Sequence, residues 1–534
     1  TSPFIIKNRR PEVTVSADNL FFSPDGDNKQ DSIAIAQNTT DEENWTGTIS
    51  DDKDRIIKSV TWPGKAAGEF VWDGTDNDGN KVPDGDYRYF LATTDIAGNQ
   101  ASAAVTPIKL QTVKPELSLS VGGSAFSPKA GSAKATMELR PVLKLNSDTD
   151  IKDWKLQINP VAGGNARNIS GSGKVPETLL WDGKTDGGRV APEGDYQAVL
   201  TVNYKSGQTP TAQSPKFVLD ITPPSATAFA DPVLFSPNGD SLKDAVTITQ
   251  ELSKEAQWKA TISFANPPTA GADPVVRNYS WTGTAPKTLS WDGMNAQGIV
   301  VPDGRYLYQL EAVDAAGNAG KSAPTEIRID NRATPIAIKA DKRWFSPVID
   351  AKNRQTITPS VVLTEGIESW QMEIRSAANA VARTFKGTNN PPASLEWDGK
   401  TDAGAMAPDG DYTANFTVSY LKGNRPTVKT DVFTMDTKAP EITLTAPDLI
   451  FAPDPDSQKQ VVKVKQVSST EELWEGSIQS PDGKVIKSWF WKGQAQDFAW
   501  DGRDENGNLQ KDGVFMYPVW ATEKAGNTTR LELK

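Results

Sequence analysis

The stretch WDGTDNDGNKVPDGDY, Trp72–Tyr87, carries five aspartates and three glycines in sixteen residues. Its density of acids admits three readings: a calcium loop, a catalytic acid cluster or a turn. The stretch recurs, as WDGKTDGGRVAPEGDY from Trp181, WDGMNAQGIVVPDGRY from Trp291, WDGKTDAGAMAPDGDY from Trp397 and WDGRDENGNLQKDGVF from Trp500. Read as a turn, Trp72 ends a strand and buries its ring between two sheets. Asp73 accepts from backbone amides ahead of it, and Gly74 supplies a positive φ. Val82-Pro83-Asp84-Gly85 suits a type I turn, with Pro second and Gly fourth. Tyr87 then enters the next strand as a tyrosine corner, its hydroxyl bonding to backbone upstream. The equivalent tyrosines are Tyr196, Tyr306 and Tyr412.

The calcium reading fits this stretch worse. An EF-hand loop needs an oxygen ligand at position 1, Gly at 6 and Glu at 12. Setting Gly79 at position 6 puts Gly74 at 1 and Gly85 at 12. In the third copy the loop is Met294-Asn-Ala-Gln-Gly298, without a carboxylate. A frame that persists while its acids disappear is a turn.

Two further markers keep step with the five tryptophans. A Phe-Ser/Ala-Pro triplet begins at Phe22, Phe126, Phe235, Phe345 and Phe451, and a Trp-x-x-x-Ile pattern at Trp45, Trp154, Trp258, Trp370 and Trp474. The Trp-Asp-Gly tryptophans lie 109, 110, 106 and 103 residues apart. That period is too long for a solenoid unit and suits a self-contained domain. Pro-marked junctions at Thr112–Pro115, Asp220–Pro224, Asp330–Pro335 and Asp436–Pro440 separate the units. They are too short for free tumbling, and proline blocks strand continuation. The expected division is 11–112, 113–221, 222–331, 332–437 and 438–534. Residues 1–10 would be a linker or the last strand of a preceding domain, since residues 4–11 resemble the junction at 327–335.

The repeats fall into two kinds. Repeats one, three and five (A) carry an acidic loop after the Phe-Ser/Ala-Pro triplet and end in Asp95-Ile-Ala-Gly-Asn99, Asp314-Ala-Ala-Gly-Asn318 and Glu523-Lys-Ala-Gly-Asn527. Repeats two and four (B) end in Tyr204-Lys-Ser-Gly207 and Tyr420-Leu-Lys-Gly423. Within repeat four, Tyr412, Ala414, Phe416, Val418 and Tyr420 alternate with polar residues, the period of a half-buried strand. Units of this length, with short alternating strands and frequent turns, predict an all-β fold: five tandem Ig-like β-sandwiches in an extended array, ordered A-B-A-B-A.

Composition narrows the function. The 534 residues carry a net charge of −11 and no basic stripe, only the short Lys7–Arg10 cluster, which argues against a nucleic-acid partner. Cys and His are absent, which removes disulfides, thiolate and imidazole metal sites and the Ser-His-Asp triad. No apolar run is long enough to span a membrane. The best metal candidates are the acidic loops after Phe-Ser-Pro, with Asp25, Asp27 and Asp31 in repeat one and Asp240 and Asp244 in repeat three. Closely spaced loop oxygens suit Ca²⁺, against the alternative of a solvated turn. No other cofactor is expected. Of the sixteen tryptophans, Trp344, Trp489 and Trp520 fall outside the repeat frames, and are candidates for binding a glycan or, alternatively, for packing. Five near-equal sandwiches offer no obvious cleft for a glycosidase carboxylate pair.

The frame Trp-Asp-Gly to Val-Pro-Asp-Gly-x-Tyr followed by Asp-x-Ala-Gly-Asn, clearest at Trp72–Asn99 and Trp291–Asn318, resembles the Ig-like domain named after the flagellar hook-capping protein FlgD. The resemblance covers the second half of every repeat, and the Asp-x-Ala-Gly-Asn end is lost in the B kind. Phe235–Asp244 resembles the opening motif of bacterial envelope and surface β-sandwich modules, and the marker order is similar to arrays in spirochaete envelope proteins. The resemblance implies exported spacer or binding modules, in the periplasm or at the cell surface, with no catalytic residue set. Hook capping is not implied, because nothing here matches the regions it depends on. The expectation is a non-enzymatic structural or adhesive spacer with a protein or envelope component as partner. The alternatives are a self-assembling envelope or filament subunit and a glycan- or protein-binding module.

Overall fold

The computed structural model describes residues 4, 6–144, 150–267, 269 and 273–533. Among these there is no α-helix, and every regular element is a β-strand. The first repeat sets the pattern with β1 (Val13–Ser16), β2 (Phe21–Phe22), β3 (Ile33–Thr39), β4 (Glu42–Ser50), β5 (Ile56–Gly64), β6 (Glu69–Trp72), β7 (Gly85–Thr94) and β8 (Gln100–Leu110). One sheet runs β1-β3-β6 and the other β2-β8-β7-β4-β5. All pairs are antiparallel except β2 with β8.

Alternation explains the two layers. On β7, Tyr87, Tyr89, Leu91 and Thr93 are buried, with less buried residues between them. On the corresponding strand of repeat four, Gly410–Tyr420, Tyr412, Ala414, Phe416, Val418 and Tyr420 are all buried. A strand's side chains alternate faces, so each strand has one face for the core. Buried apolar residues form five clusters, within Phe22–Leu110, Leu119–Leu219, Ala230–Ile329, Phe345–Met435 and Ile442–Ala521. All-β architecture with tandem Ig-like sandwiches is therefore the fold.

The Phe-Ser-Pro motif does more than precede a loop. Phe21–Phe22 pairs in parallel with Lys109–Leu110, and the same pairing joins Ala125–Phe126 to Val218–Leu219, Leu234–Phe235 to Arg328–Ile329, and Trp344–Phe345 to Thr434–Met435. This places the loop after the motif at the end of the sandwich where the chain leaves for the next repeat. The last strand is unsplit in repeat one and, among the described residues, in repeat five, as Thr528–Leu533. In repeat two it splits into Thr211–Gln213 and Phe217–Leu219, and repeats three and four split likewise. In repeat five Phe451 lies outside any strand. Residues 4 and 6–10 form no strand here, and residue 5 lies outside the described residues.

Candidate functional site: acidic loops and repeat joints

The Trp-Asp-Gly stretch is a self-bonded turn. Trp72, Trp181, Trp291, Trp397 and Trp500 are buried, and each indole N–H donates to the carbonyl three residues on, Thr75, Lys184, Met294, Lys400 and Arg503, at 2.8–2.9 Å. Asp73 Oδ1 accepts from the Thr75 amide, and Asp76 Oδ1 from the amides of Asp78 and Asn80. In repeat three Asn295 Oδ1 takes the Asp76 role, accepting from Gln297 and Ile299. The position needs an acceptor oxygen, not a charge. The hydroxyls of Tyr87, Tyr196, Tyr306 and Tyr412 donate to Pro83, Pro192, Pro302 and Pro408 carbonyls at 2.5–2.7 Å, the tyrosine corner. Burial holds each of the four phenols above its ordinary pKa.

The acidic loops bring their carboxylates together. Oxygens of Asp25, Asp27 and Asp31 lie within 4.8 Å of one another. Each is also engaged with backbone: Asp31 accepts from Gly26 and Asn28, Asp25 from Asp27, and Asp27 from Lys29. Lys114 places its ammonium 3.8 Å from Asp25. Repeat three repeats the backbone bonds, with Asp244 accepting from Asn238, Gly239 and Ser241 and Asp240 from Leu242. These bonds account for the acids as loop formers, and three clustered oxygens are a partial ligand set for a hard cation.

The three unframed tryptophans do not meet. Trp344 lies where repeats four and five abut, with Arg343 4.7 Å from its ring centre and Lys524 of the next repeat 5.4 Å away. Trp489 packs on Phe498 at 4.1 Å, against the fifth core, and Trp520 lies under Arg530 at 5.7 Å. All three are half-buried.

The sites that sequence reading missed are the joints. In each of the first four repeats the acid of the Pro-Asp/Glu-Gly turn holds the outgoing linker. Asp84 accepts from the Thr112 amide at 2.8 Å, Glu193 from Ile221 at 2.6 Å, Asp303 from Asn331 at 2.7 Å and Asp409 from Thr437 at 2.9 Å. The spacing offered a signal, since each acid precedes its partner by 28 residues.

The Phe-Ser-Pro loop then meets the last hairpin of the following repeat. Ser23, Ser127, Ser236 and Ser346 are buried. Ser127 donates to Asn318 at 2.5 Å and Ser346 to Asn527 at 2.6 Å, while the Gln208 amide donates to Ser23 at 3.2 Å. Asn318 and Asn527 also donate to the linker carbonyls of Asp220 and Asp436. At the third joint Lys422, whose side chain is 3% exposed, pairs with linker Asp330 at 3.1 Å and donates to the Arg332 carbonyl. Burial alone would raise the Asp330 pKa, but hydrogen bonds from Arg332 and Lys422 outweigh it and hold the carboxyl at about 2. The hairpin glycines sit against the preceding loop. A Cβ on Gly207 would stand 2.5 Å from the Lys29 carbonyl oxygen, and one on Gly423 would strike Leu242.

Residues 25–95 and 346–423 match the family model of the FlgD Ig-like domain. Their indole–carbonyl bond recurs in all five repeats. No curated protein matches the chain. Among solved structures, the chain is similar to a tetra-tandem repeat in the extending region of a large adhesion protein, at 17% identity over 80% of this chain and 99% of that one, TM-score 0.30. A 1.5-MDa bacterial ice-binding adhesin aligns at 15% identity over 61% and 100%, TM-score 0.30. Fibronectin(III)-like modules of Clostridium thermocellum CbhA align at 15% identity over 39% and 95%, TM-score 0.23. No described helix is long and apolar enough to cross a membrane.

Proposed function

We propose that this chain is a non-catalytic spacer of the bacterial cell envelope or surface, a line of FlgD-type Ig-like domains whose joints are held by side chains so that a partner protein or envelope component is presented at reach. One observation carries the reading. All four joints carry the same acid-to-linker bond, and the buried Phe-Ser-Pro serine bonds the next repeat in three of them, with Lys422 on Asp330 in the other. Joints that position each sandwich by directed hydrogen bonds resist bending, which a spacer requires and an enzyme of independent domains does not.

Small-angle scattering with in-line mass, in calcium and then in chelator, tests the reading. The expected result is a monomer of 57.7 kDa with one long dimension, unchanged by chelator. A compact or freely jointed particle would refute the spacer. A mass well above one chain would put an assembly subunit in its place. A particle that bends only in chelator would make Asp25, Asp27 and Asp31 calcium ligands that stiffen the first joint.

A further inference from the structure

The last hairpins of the repeats are of one design, but the first is uncovered. In repeats three and five, Ala316, Asn318, Ala525 and Asn527 are 0%, 5%, 6% and 4% exposed beneath the Phe-Ser-Pro loop of the preceding repeat. The equivalents in repeat one, Ala97 and Asn99, are exposed and half-exposed. A Cβ on Gly317 would meet Ser132 at 3.0 Å and one on Gly526 would meet Ile349 at 3.2 Å, whereas one on Gly98 would meet nothing within 4 Å. Asn318 and Asn527 each bond a serine and a linker carbonyl, while among the described residues the Asn99 side chain bonds only Asp95. Lys7 already lies on this side of the hairpin, 2.6 Å from Glu42 and 3.8 Å from Asp95.

The kinds at the covered joints say what fits. A-kind hairpins carry an acid, Asp95, Asp314 or Glu523, and both covered ones take a B-kind loop, as where Lys134 donates to the Ala315 carbonyl at 2.7 Å. B-kind hairpins carry Lys205 or Lys422 and take A-kind ends, Lys205 over the Phe21 ring and Lys422 on Asp330. The loop after Phe451 is A-kind, with Asp454 and Asp456, and has Ala452 where the other repeats have the joint serine. Ala452 has no hydroxyl to make the bond that Ser127 and Ser346 give the covered A-kind hairpins.

We propose that the Asp95–Asn99 hairpin is a docking surface for the Phe-Ser-Pro end of a B-kind Ig-like sandwich. The serine hydroxyl of that sandwich donates to Asn99 Oδ1, as Ser127 does to Asn318, and its loop covers Ala97 and Gly98. This follows from the joints and holds whether or not the chain is a spacer.

The test uses the full chain, whose lack of cysteine makes Ala97→Cys a unique thiol reporter. A further copy of residues 332–437 is fused ahead of Lys7, and separately a copy of residues 113–221, each a B-kind repeat. A copy of residues 222–331, of A kind, is the third fusion. Ala316→Cys in the unextended chain gives the labelling rate of a covered position. Maleimide labelling of Ala97→Cys is expected to slow at least tenfold in either B-kind fusion and to stay at the parent rate in the A-kind fusion. Replacing the fused copy's joint serine by valine is expected to restore the rate. Labelling at the parent rate in both B-kind fusions overturns the proposal. So does equal protection by the A-kind fusion, or protection that rises with the concentration of unextended chain, which would make a second copy the occupant.

Discussion

Replacing Lys422 by methionine removes one partner of the ion pair that closes the third joint while keeping the length of the side chain. Breaking a buried pair from one side typically costs about 3–5 kcal/mol. Here the cost is smaller, because Arg332 still holds Asp330 with two hydrogen bonds of 3.0 and 2.7 Å. The Asp330 pKa, about 2 against an ordinary 3.8, sets the scale. That difference corresponds to at most roughly 2 kcal/mol of preference for the charged form, reduced by solvent screening and shared between Arg332 and Lys422. The Arg332 carbonyl loses its donor as well, worth about 1 kcal/mol. Lys422→Met should therefore cost about 2 kcal/mol, felt locally at the joint. Native-state hydrogen exchange reads such local opening. Protection of Leu421 and Gly423, whose amides donate to Gly366 and Tyr420, should fall by about thirtyfold, with distant strands unchanged. The pH dependence has a definite sign. Asp330 has a depressed folded pKa, so its contribution is full above the unfolded value near 4 and is lost as pH falls toward 2. Asp330→Asn should abolish that loss, and the double variant with Lys422→Met should cost less than the two singles added. A loss of protection below threefold, or strict additivity, would refute the pair as a closing element.

Other consequences are separable. Gly207→Ala should open the first joint by collision with the Lys29 carbonyl and broaden the scattering distance distribution, whereas Gly98→Ala should leave it unchanged and cost only the roughly 1 kcal/mol of a non-glycine residue at positive φ. Asp31→Ala removes the acceptor for two backbone amides and should lower the stability of repeat one by about 1–2 kcal/mol, equally in calcium and chelator; a cost seen only with calcium would mark a metal ligand. Tyr412→Phe strips the corner bond to Pro408 and should cost repeat four about 1 kcal/mol in urea denaturation, and no measurable cost would show that the corner contributes only packing.

What was legible in the sequence follows from range. The indole of Trp72 bonds three residues away and Tyr87 four, so turn chemistry within sixteen residues fixes both, and strand alternation fixes the faces. The joints escaped because their partners are far apart, as with Ser127 and Asn318, separated by 191 positions. The strands that carry the Phe of Phe-Ser-Pro are only two residues long, too short for a period to show. The acid of Pro-Asp-Gly reads locally as a turn former, and its bond to the linker depends on the linker's path.

The alternation of kinds follows from the joints. Five sandwiches with one frame, on one chain, risk docking on the wrong neighbour while folding, the failure expected of tandem repeats. If every end fitted every hairpin, repeat one could close on repeat three, or one chain on the next without limit. Two kinds remove half of those pairings: an A end meets a B hairpin through Lys205 over Phe21 or Lys422 on Asp330, and an A hairpin with Asn318 or Asn527 meets a B loop. Asp330 and Lys422 refine this further, because the first joint has Gln111 and Ser206 at the matching places. Lys422 against Gln111 would leave a buried ammonium without its carboxylate, a cost of several kcal/mol that favours each hairpin's own partner.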